Sequence, residues 1–422
     1  MAFDYRNGVL CADEAPLDDI AQRFGTPCYV YSQRAITSAY AEFSQALAGR
    51  DARVCYSVKA NSNLAILALL ASLGAGFDIV SAGELARVLA AGGDAARTLF
   101  SGVGKSAAEI ELALSRGVGC INVESAAELD RVARIAQRLE RRAPVALRVN
   151  PDIDARTHPY ISTGLRENKF GVAYRDAERL YRQAAQRREL EVVGIGCHIG
   201  SLLNDPAPFV AAAQRLGELV DRLEAEGIGL RHIDVGGGIG IRYKDETTQP
   251  ITAFVRGALA ALGSRRQQVI FDPGRSLVGN AGILLTRVEY VKPGEARNFL
   301  VVDAAMNDLI RPPLYGAWHE VRTVRAADAG AATVYDVVGP VCESADFLAK
   351  ERQLVAREGD LLAIMSAGAY GMVMSSNYNS RPRAAEVLVD RAMAHLVRRR
   401  ESLEELFAAE QIPGRQSRPS RD

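Results

Sequence analysis

Lys59 stands where an apolar run ends, in the sequence CYSVKANSN at residues 55–63. The run before it is typical of a β-strand and the residues after it of a helix start, so the amine projects from a strand end. A lysine amine in such a place can form a Schiff base with a carbonyl compound. The simpler interpretation is a lysine that extends its charge into water from the rim of the fold.

Further polar residues and glycines close other strand-like runs. A histidine can stack flat on a ring, and a carboxylate can pair with a ring nitrogen, although each also has a purely structural interpretation as a packed imidazole or a turn cap. The residues concerned are Asp78, His198 with Ser201, Gly236, Gly237 and Gly238, and Asp272 with Arg275.

About eight short apolar or β-branched runs alternate with helical patterns, and three helix starts fit the Ser-x-x-Glu capping box (Ser81, Ser106 and Ser125). This rhythm predicts a (β/α)8 barrel rather than a doubly wound sheet. The predicted strands are VCYSV (54–58), FDIV (77–80), TLFS (98–101), CINV (120–123), VALRV (145–149), VVGIGCHI (192–199), HIDVG (232–236) and VIFD (269–272).

In the predicted barrel, two glycine-containing segments lie where a phosphate could bind. GGGIG (236–240) follows the seventh predicted strand and PGRS (273–276) the eighth, where barrel enzymes often bind a phosphate. Bare backbone N–H groups can approach a phosphate closely, although one such loop alone is most simply a tight turn. A phosphate site together with the amine of Lys59 predicts pyridoxal phosphate, with His198 against its ring and Asp272 on its pyridine nitrogen.

The rest of the chain predicts a second domain. Strand-like runs separated by turns indicate a mostly antiparallel β domain at 281–390, which the N-terminal segment 1–35, with its run PCYVYS, joins. The barrel then occupies 36–280. The charged end, 391–422, predicts a helix followed by a disordered tail.

Composition limits the classes of partner. Lysine plus arginine equals aspartate plus glutamate at 51 each, so we expect a small-molecule substrate and neither nucleic acid nor membrane. The six cysteines form no C-x-x-C pair, which argues against a metal site and a disulfide framework. A secretory leader and an apolar run of about 18 residues are both missing from the sequence, which predicts a cytoplasmic protein.

Eight ordered motifs between about residues 20 and 390 resemble the diaminopimelate decarboxylase family, pyridoxal-phosphate enzymes of the alanine-racemase-like barrel class. They are YSVKAN, GFDIVSAGEL, HPYISTGLRENKFGV, CHIGS, DVGGGIG, DPGRSLVGNAG, GPVCESAD and AGAYGMVMSSNYNSRPRAAEV. The resemblance implies decarboxylation of meso-diaminopimelate to L-lysine in a homodimer with shared active sites.

The resemblance also implies roles for individual residues. Lys59 would be the Schiff-base lysine, His198 the ring-stacking residue and Cys342 the proton donor. Substrate contacts would come from Arg275, Arg311, Tyr315, Glu343 and Tyr370. Further cofactor contacts would come from Asp78, Ser201, Gly236, Gly237, Gly238, Asp272, Gly274, Arg275 and Tyr370. Simpler interpretations make Arg311 and Tyr315 loop caps and Cys342 a small buried hydrophobe.

One residue departs from the family pattern, which usually has glutamate at the position of Asp272. The shorter side chain keeps the charge but lies one methylene further back. Two arginines for a distal carboxylate, with Glu343 for a distal ammonium, favour diaminopimelate over other basic amino acids. The alternatives are a barrel decarboxylase of carboxynorspermidine, ornithine or arginine, and a non-catalytic decarboxylase-like regulator.

Overall fold

The computed structural model of the protein describes residues 2–153, 169–326 and 331–413. The chain forms two compact units. The barrel unit comprises Ala2, Ser32–Gly282 and Gly368–Val373, and the β unit comprises Phe3–Tyr31, Ile283–Ala367 and the residues from Met374 onward. Residues 368–373, which the sequence placed in the β domain, thus belong to the barrel unit. There the N–H of Tyr370 donates to the carbonyl of Ala60.

Eight parallel strands close into the predicted barrel, each pairing with the next and the eighth pairing with the first. The fold class predicted from the sequence is therefore confirmed, and each predicted strand is found in its place. A short strand, Val172–Ala173, pairs with the fifth strand outside the closed ring. The barrel strands are Ala52–Ser57, Gly76–Ile79, Thr98–Phe100, Cys120–Val123, Ala143–Asn150, Leu190–Gly196, His232–Asp234 and Gln268–Phe271.

Helices precede, connect or follow these strands. The serines Ser81, Ser106 and Ser125 all accept the backbone N–H three residues on, but only Ser106 completes the reciprocal capping box with its glutamate. The other two glutamates bond instead to the N–H of the residue before the cap. The helices are Gln33–Ala46, Leu64–Ser72, Ala82–Ala90, Ala107–Arg116, Ala126–Arg138, Tyr174–Ala185, Ala207–Ala225, Ile251–Leu262 and Arg275–Val278.

The barrel interior is layered. A buried cluster of small and apolar side chains fills its middle: Cys55, Leu99, Cys120, Ala146, Val193 and Ile270. Because side chains alternate along a strand, the residue two positions further on points to the same interior at the carboxyl end. On five strands that residue is polar: Ser57, Ser101, Asn122, Arg148 and Asp272. The apolar layer thus supports a polar layer at the end where barrel enzymes place their chemistry.

The β unit contains two sheets. Phe3–Arg6, Val9–Ala12 and Ala15–Pro16 form a small antiparallel sheet. The larger sheet is mostly antiparallel and includes Cys28–Ser32, as predicted from PCYVYS. Its strands are Cys28–Ser32, Gly282–Lys292, Asn298–Val302, Val321–Thr323, Thr333–Val338, Phe347–Leu354, Leu361–Ile364, Ala385–Asp390 and Met393–Arg398, and the helices of the unit are Leu17–Phe24 and Arg311–Tyr315.

The predicted charged helix after residue 391 is wrong in its described part. Met393–Arg398 is a strand antiparallel to Ala385–Asp390, and Glu404–Leu406 is a single turn of 3-10 helix. The strand pairing gives hydrogen-bond partners to the backbone N–H and C=O groups of this segment. Pairing of this kind overrides helix propensity. Residues 414–422, predicted as a disordered tail, lie outside the described residues, as does most of the motif HPYISTGLRENKFGV. In the described ranges, no helix has the length and apolarity that crossing a membrane requires.

Candidate active site

Lys59 lies on a turn of 3-10 helix, Val58–Ala60, directly after the first barrel strand. Its Nζ donates to Asp78 Oδ2 at 2.8 Å and to Ser57 Oγ at 3.2 Å. Burial lowers the pKa of the Lys59 amine, but the carboxylates of Asp78 and Asp272 outweigh burial and raise that pKa above its ordinary value. The amine is thus bound by the Asp78 carboxylate and the Ser57 hydroxyl, while about a third of the side chain is exposed.

Asp78, at the end of the second strand, is the centre of a hydrogen-bond cluster. Ser101 Oγ donates to Asp78 Oδ1 at 2.5 Å, and Ser57 Oγ lies 3.1 Å from Oδ2. Burial raises the pKa of this carboxyl, but the Lys59 ammonium and the donated hydrogen bonds outweigh burial and lower it. Asp78 is thus an ionised partner that fixes the position of the Lys59 amine.

Asp272 follows the eighth strand on the other side of Lys59. Its Oδ1 is buried and accepts no hydrogen bond from any described residue. The ring nitrogen Nδ1 of His198 lies 3.7 Å from this oxygen, beyond hydrogen-bond length. A buried carboxylate oxygen left in this state calls for a donor from a bound molecule, because a buried charge without one is costly.

Glycines bring the loops after the sixth and seventh strands close together. Gly238 has φ +86°, and a Cβ at this position would lie 1.9 Å from the carbonyl oxygen of Gly200. A Cβ on Gly237 would lie 2.6 Å from Asp272 Oδ1. Only glycine therefore permits this loop to lie against both Asp272 and the loop that carries Ser201.

Arg275 is buried just after Gly274, where a short helix begins. Its guanidinium carbon lies 4.7 Å from the centre of the Tyr370 ring, and Nη1 donates to the hydroxyl of Tyr243 at 2.6 Å. The backbone N–H of Tyr370 donates to Ala60, next to Lys59. The structure thus brings Arg275 and Tyr370 together, and it adds Tyr243, which sequence reasoning missed.

A cavity of about 240 Å³ opens among these barrel residues. Polar side chains from successive strands line it, and several were missed by sequence reasoning: Ser101, Asn122, Arg148 and Asp234. Burial and the neighbouring Asp272 raise the pKa of Asp234 well above its ordinary value. Among the predicted residues, the cavity is lined by Lys59, Asp78, His198, Ser201 and Asp272.

Four predicted substrate or catalytic residues lie in the β unit. Arg311 and Tyr315 occupy the first and last positions of the helix Arg311–Tyr315, four residues apart and hence on one face. Arg311 is buried and its Nη1 lies 3.0 Å from His319 Nε2. A buried guanidinium needs hydrogen-bond partners, and His319 is one of them.

Cys342 and Glu343 share one loop that is fixed from several sides. The N–H of Cys342 donates to Asn379 Oδ1 at 2.8 Å, and the hydroxyl of Tyr378 donates to Glu343 Oε1 at 2.8 Å. The buried Asp346 accepts the N–H of Val341 at 2.7 Å. All six cysteines are described and are free thiols, and Cys342 is exposed, contrary to its interpretation as a small buried hydrophobe.

Comparison with known proteins identifies the class to which this barrel and site belong. Residues 33–279 match the family model for the pyridoxal-binding domain of pyridoxal-dependent decarboxylases. The diaminopimelate decarboxylase of Pseudomonas aeruginosa is 58% identical over 97% of this chain and 99% of its own. The match spans more than half of the chain, so the protein is a member of the pyridoxal-dependent decarboxylases.

Two solved structures extend the comparison. Diaminopimelate decarboxylase from Helicobacter pylori, complexed with L-lysine, is 44% identical with a TM-score of 0.90, covering 93% of this chain and 99% of that one. The enzyme from M. jannaschii, also with L-lysine, is 34% identical with a TM-score of 0.93, covering 98% of both chains. The chain belongs to the diaminopimelate decarboxylase family.

Proposed function

We propose that the protein removes one carboxylate of meso-2,6-diaminopimelate as CO₂, with pyridoxal phosphate as cofactor, and releases L-lysine. The observation that carries the proposal is the inward amine of Lys59, held by Asp78, in the same cavity as the buried, unbonded Oδ1 of Asp272. One proton is taken up for each CO₂ released. This reaction is the last step of lysine biosynthesis, and we assign it to the cytoplasm.

The barrel residues fit the cofactor. The Lys59 amine would hold its aldehyde carbon, and Asp272 Oδ1 would accept the pyridine N–H for which it has no partner among the described residues. His198 would lie against the ring, because its imidazole lines the same cavity. The phosphate would be held by backbone and side-chain donors, for which we propose Ser201, Gly236, Gly237, Gly238, Gly274 and Arg275.

When bound, pyridoxal phosphate supplies a protonated ring that accepts the electron pair left behind as CO₂ departs. The chain does the rest. Asp272 would keep the ring nitrogen protonated, and Asp78 would hold the Lys59 amine in position. Cys342 delivers a proton from its thiol to the carbon that has lost its carboxylate.

Selection of the substrate depends on its second amino-acid head. A distal carboxylate suits planar guanidinium groups, which Arg275 and Arg311 offer. Tyr315 shares a helix with Arg311, and the ring of Tyr370 contacts the guanidinium of Arg275. A distal ammonium suits Glu343, whose Oε1 is oriented by the Tyr378 hydroxyl. Ornithine lacks the distal carboxylate, so it cannot make the interactions proposed for these two arginines.

The purified protein should show visible absorbance from bound pyridoxal phosphate and release CO₂ from meso-diaminopimelate. A panel of ornithine, arginine, L-lysine and carboxynorspermidine serves as the comparison, measured as CO₂ per enzyme under identical conditions. A preference for any of these over meso-diaminopimelate would overturn the substrate assignment. Bound cofactor without CO₂ release from any amino acid would favour the alternative of a non-catalytic decarboxylase-like regulator.

Asp272→Asn is expected to retain cofactor yet slow turnover by roughly 10²-fold, because a neutral amide no longer keeps the ring nitrogen protonated. Asp272→Glu restores the residue usual in the family and is expected to turn over at least as fast as the parent. Steady-state kinetics together with the cofactor absorbance measure both. A much slower Asp272→Glu would mean that the Gly236–Gly238 loop, packed against Asp272, has adapted to the shorter side chain.

Gly237→Ala is expected to weaken cofactor retention by about tenfold or more. The added Cβ would lie 2.4 Å from the carbonyl oxygen and 2.6 Å from Oδ1 of Asp272, so one of the two segments must shift. Fluorescence titration of the cofactor-free protein measures the loss. Gly229→Ala is the matched control, since its Cβ would lie 3.9 Å from the nearest atom, a flexible arginine end.

We further infer that the protein works as a two-fold dimer with shared sites. Cys342 is exposed in the single chain, whereas a proton donor to a reactive carbon needs shelter from water. In an isologous pair each chain would lend its Cys342 and Glu343 to the partner's Lys59. The family resemblance supports this arrangement.

A further inference from the structure

His319 makes a pair of hydrogen bonds that fixes its protonation state. The residue is fully buried in the β unit, four residues beyond the helix that carries Arg311. Its Nδ1 lies 2.7 Å from the carbonyl oxygen of Met365, and its Nε2 lies 3.0 Å from Nη1 of Arg311. A carbonyl only accepts, so Nδ1 carries the hydrogen.

A guanidinium has only donors, which determines the other ring nitrogen. Nε2 must present a lone pair to Arg311 Nη1, so the imidazole is neutral and is the Nδ1–H tautomer. A charged imidazolium would direct a second N–H at the guanidinium. The backbone of Met365 therefore sets the tautomer of His319, and His319 in turn sets the direction of Arg311.

We infer that His319 is a positioning residue that orients the guanidinium of Arg311 for the distal carboxylate of the substrate. The inference rests on the proposed role of Arg311. Recognition of a carboxylate by a guanidinium is planar and directional, so a rotation of that group loses much of the interaction. A neutral acceptor orients the guanidinium without placing a negative charge beside it, as a carboxylate at the position of His319 would.

Two substitutions separate orientation of Arg311 from a merely structural role. In His319→Gln the side-chain oxygen falls near the former Nε2 and can still accept from Arg311. In His319→Asn the amide falls near the former Nδ1, so it can keep the bond to Met365 but does not reach Arg311. Both variants replace the ring by an amide, and Asn leaves the larger cavity because it is one methylene shorter than Gln. The unfolding temperature measures that loss of packing separately from KM.

The experiment measures kcat and KM for meso-diaminopimelate in the cofactor-loaded parent and in both variants, after thermal unfolding has shown that each variant is folded. We expect His319→Asn to raise KM about tenfold or more, His319→Gln to raise it far less, and kcat to change little in either, because a hydrogen bond to a charged group is at stake. Equal KM values for the two variants would overturn the inference.

A second measurement keeps the inference separate from the proposed reaction. The ¹⁵N spectrum of histidine-labelled protein, parent minus His319→Gln, should show a ring with a protonated Nδ1 and an unprotonated Nε2, whether or not the enzyme acts on meso-diaminopimelate. Arg311→Lys should shift the Nε2 signal and leave Nδ1 nearly unchanged. An imidazolium or the opposite tautomer would overturn the inference, and inactivity on meso-diaminopimelate with the expected spectrum would overturn only the proposed function.

Discussion

Lys59→Ala is expected to lose the visible absorbance of the cofactor and to lower decarboxylation by roughly 10³-fold or more. In the proposed mechanism the amine is the nucleophile, and its position is fixed by the hydrogen-bond cluster of Asp78, Ser57 and Ser101. Lys59→Ala has no amine at this position, so it cannot form the proposed Schiff base with the cofactor. Absorbance of the purified variant and CO₂ release from meso-diaminopimelate measure the two effects.

The fold should survive that substitution. Lys59 is partly exposed and lies on a turn outside the apolar layer of the barrel, so its removal leaves no cavity in the core. Circular dichroism and the unfolding temperature should therefore match those of the parent. Lys292→Ala is the matched control, since Lys292 is exposed at the end of a β-unit strand, and it should keep full activity. Undiminished activity in Lys59→Ala would refute the mechanism.

A mixture of two inactive variants, Lys59→Ala and Cys342→Ala, is expected to recover activity toward about a quarter of the parent. Subunit exchange should place one chain of each kind in half of the dimers. If sites are shared, such a dimer has one site with both substitutions and one with neither. Half the dimers with half their sites intact gives the quarter, measured as CO₂ release after incubation that allows exchange.

The controls for this mixture are each variant incubated alone, which should stay inactive. Mass measurement of differently tagged chains shows whether exchange has occurred. No recovery in spite of confirmed exchange would mean that Lys59 and Cys342 act within one chain. The dimer with shared sites would then be wrong, while the proposed reaction would stand.

The barrel could be predicted from the sequence because each βα unit has local signals, an apolar run for its strand and a helical pattern after it. All eight strands lie where apolar runs predicted them, and serine caps precede the helices that follow three of them. The terminal segment was mispredicted for the opposite reason. Its residues favour a helix on their own. Met393–Arg398 is a strand because it pairs with Ala385–Asp390, and helix propensity does not report this pairing.

The site was predicted unevenly. Residues that follow a strand, such as Lys59 and Asp272, could be found because the ends of the strands were visible in the sequence. Ser101, Asn122 and Arg148 were missed, although each lies two residues beyond a small or apolar inward side chain, a period-two signal that was available. The pairing of Arg311 with His319 was not predictable, because spacing alone does not indicate which of two buried groups orients the other.

The polar layer has a consequence for refolding. Ser57 Oγ lies 2.9 Å from the backbone carbonyl of Asp272, a residue 215 positions away along the chain. Ser57 ends the first strand and Asp272 follows the eighth, and these two strands meet only when the ring is complete. Contacts of such long range form late because loop closure is costly. During recovery from denaturant, helical signal should therefore return before the chain can hold its cofactor, and the return of cofactor absorbance should time the closure of the ring.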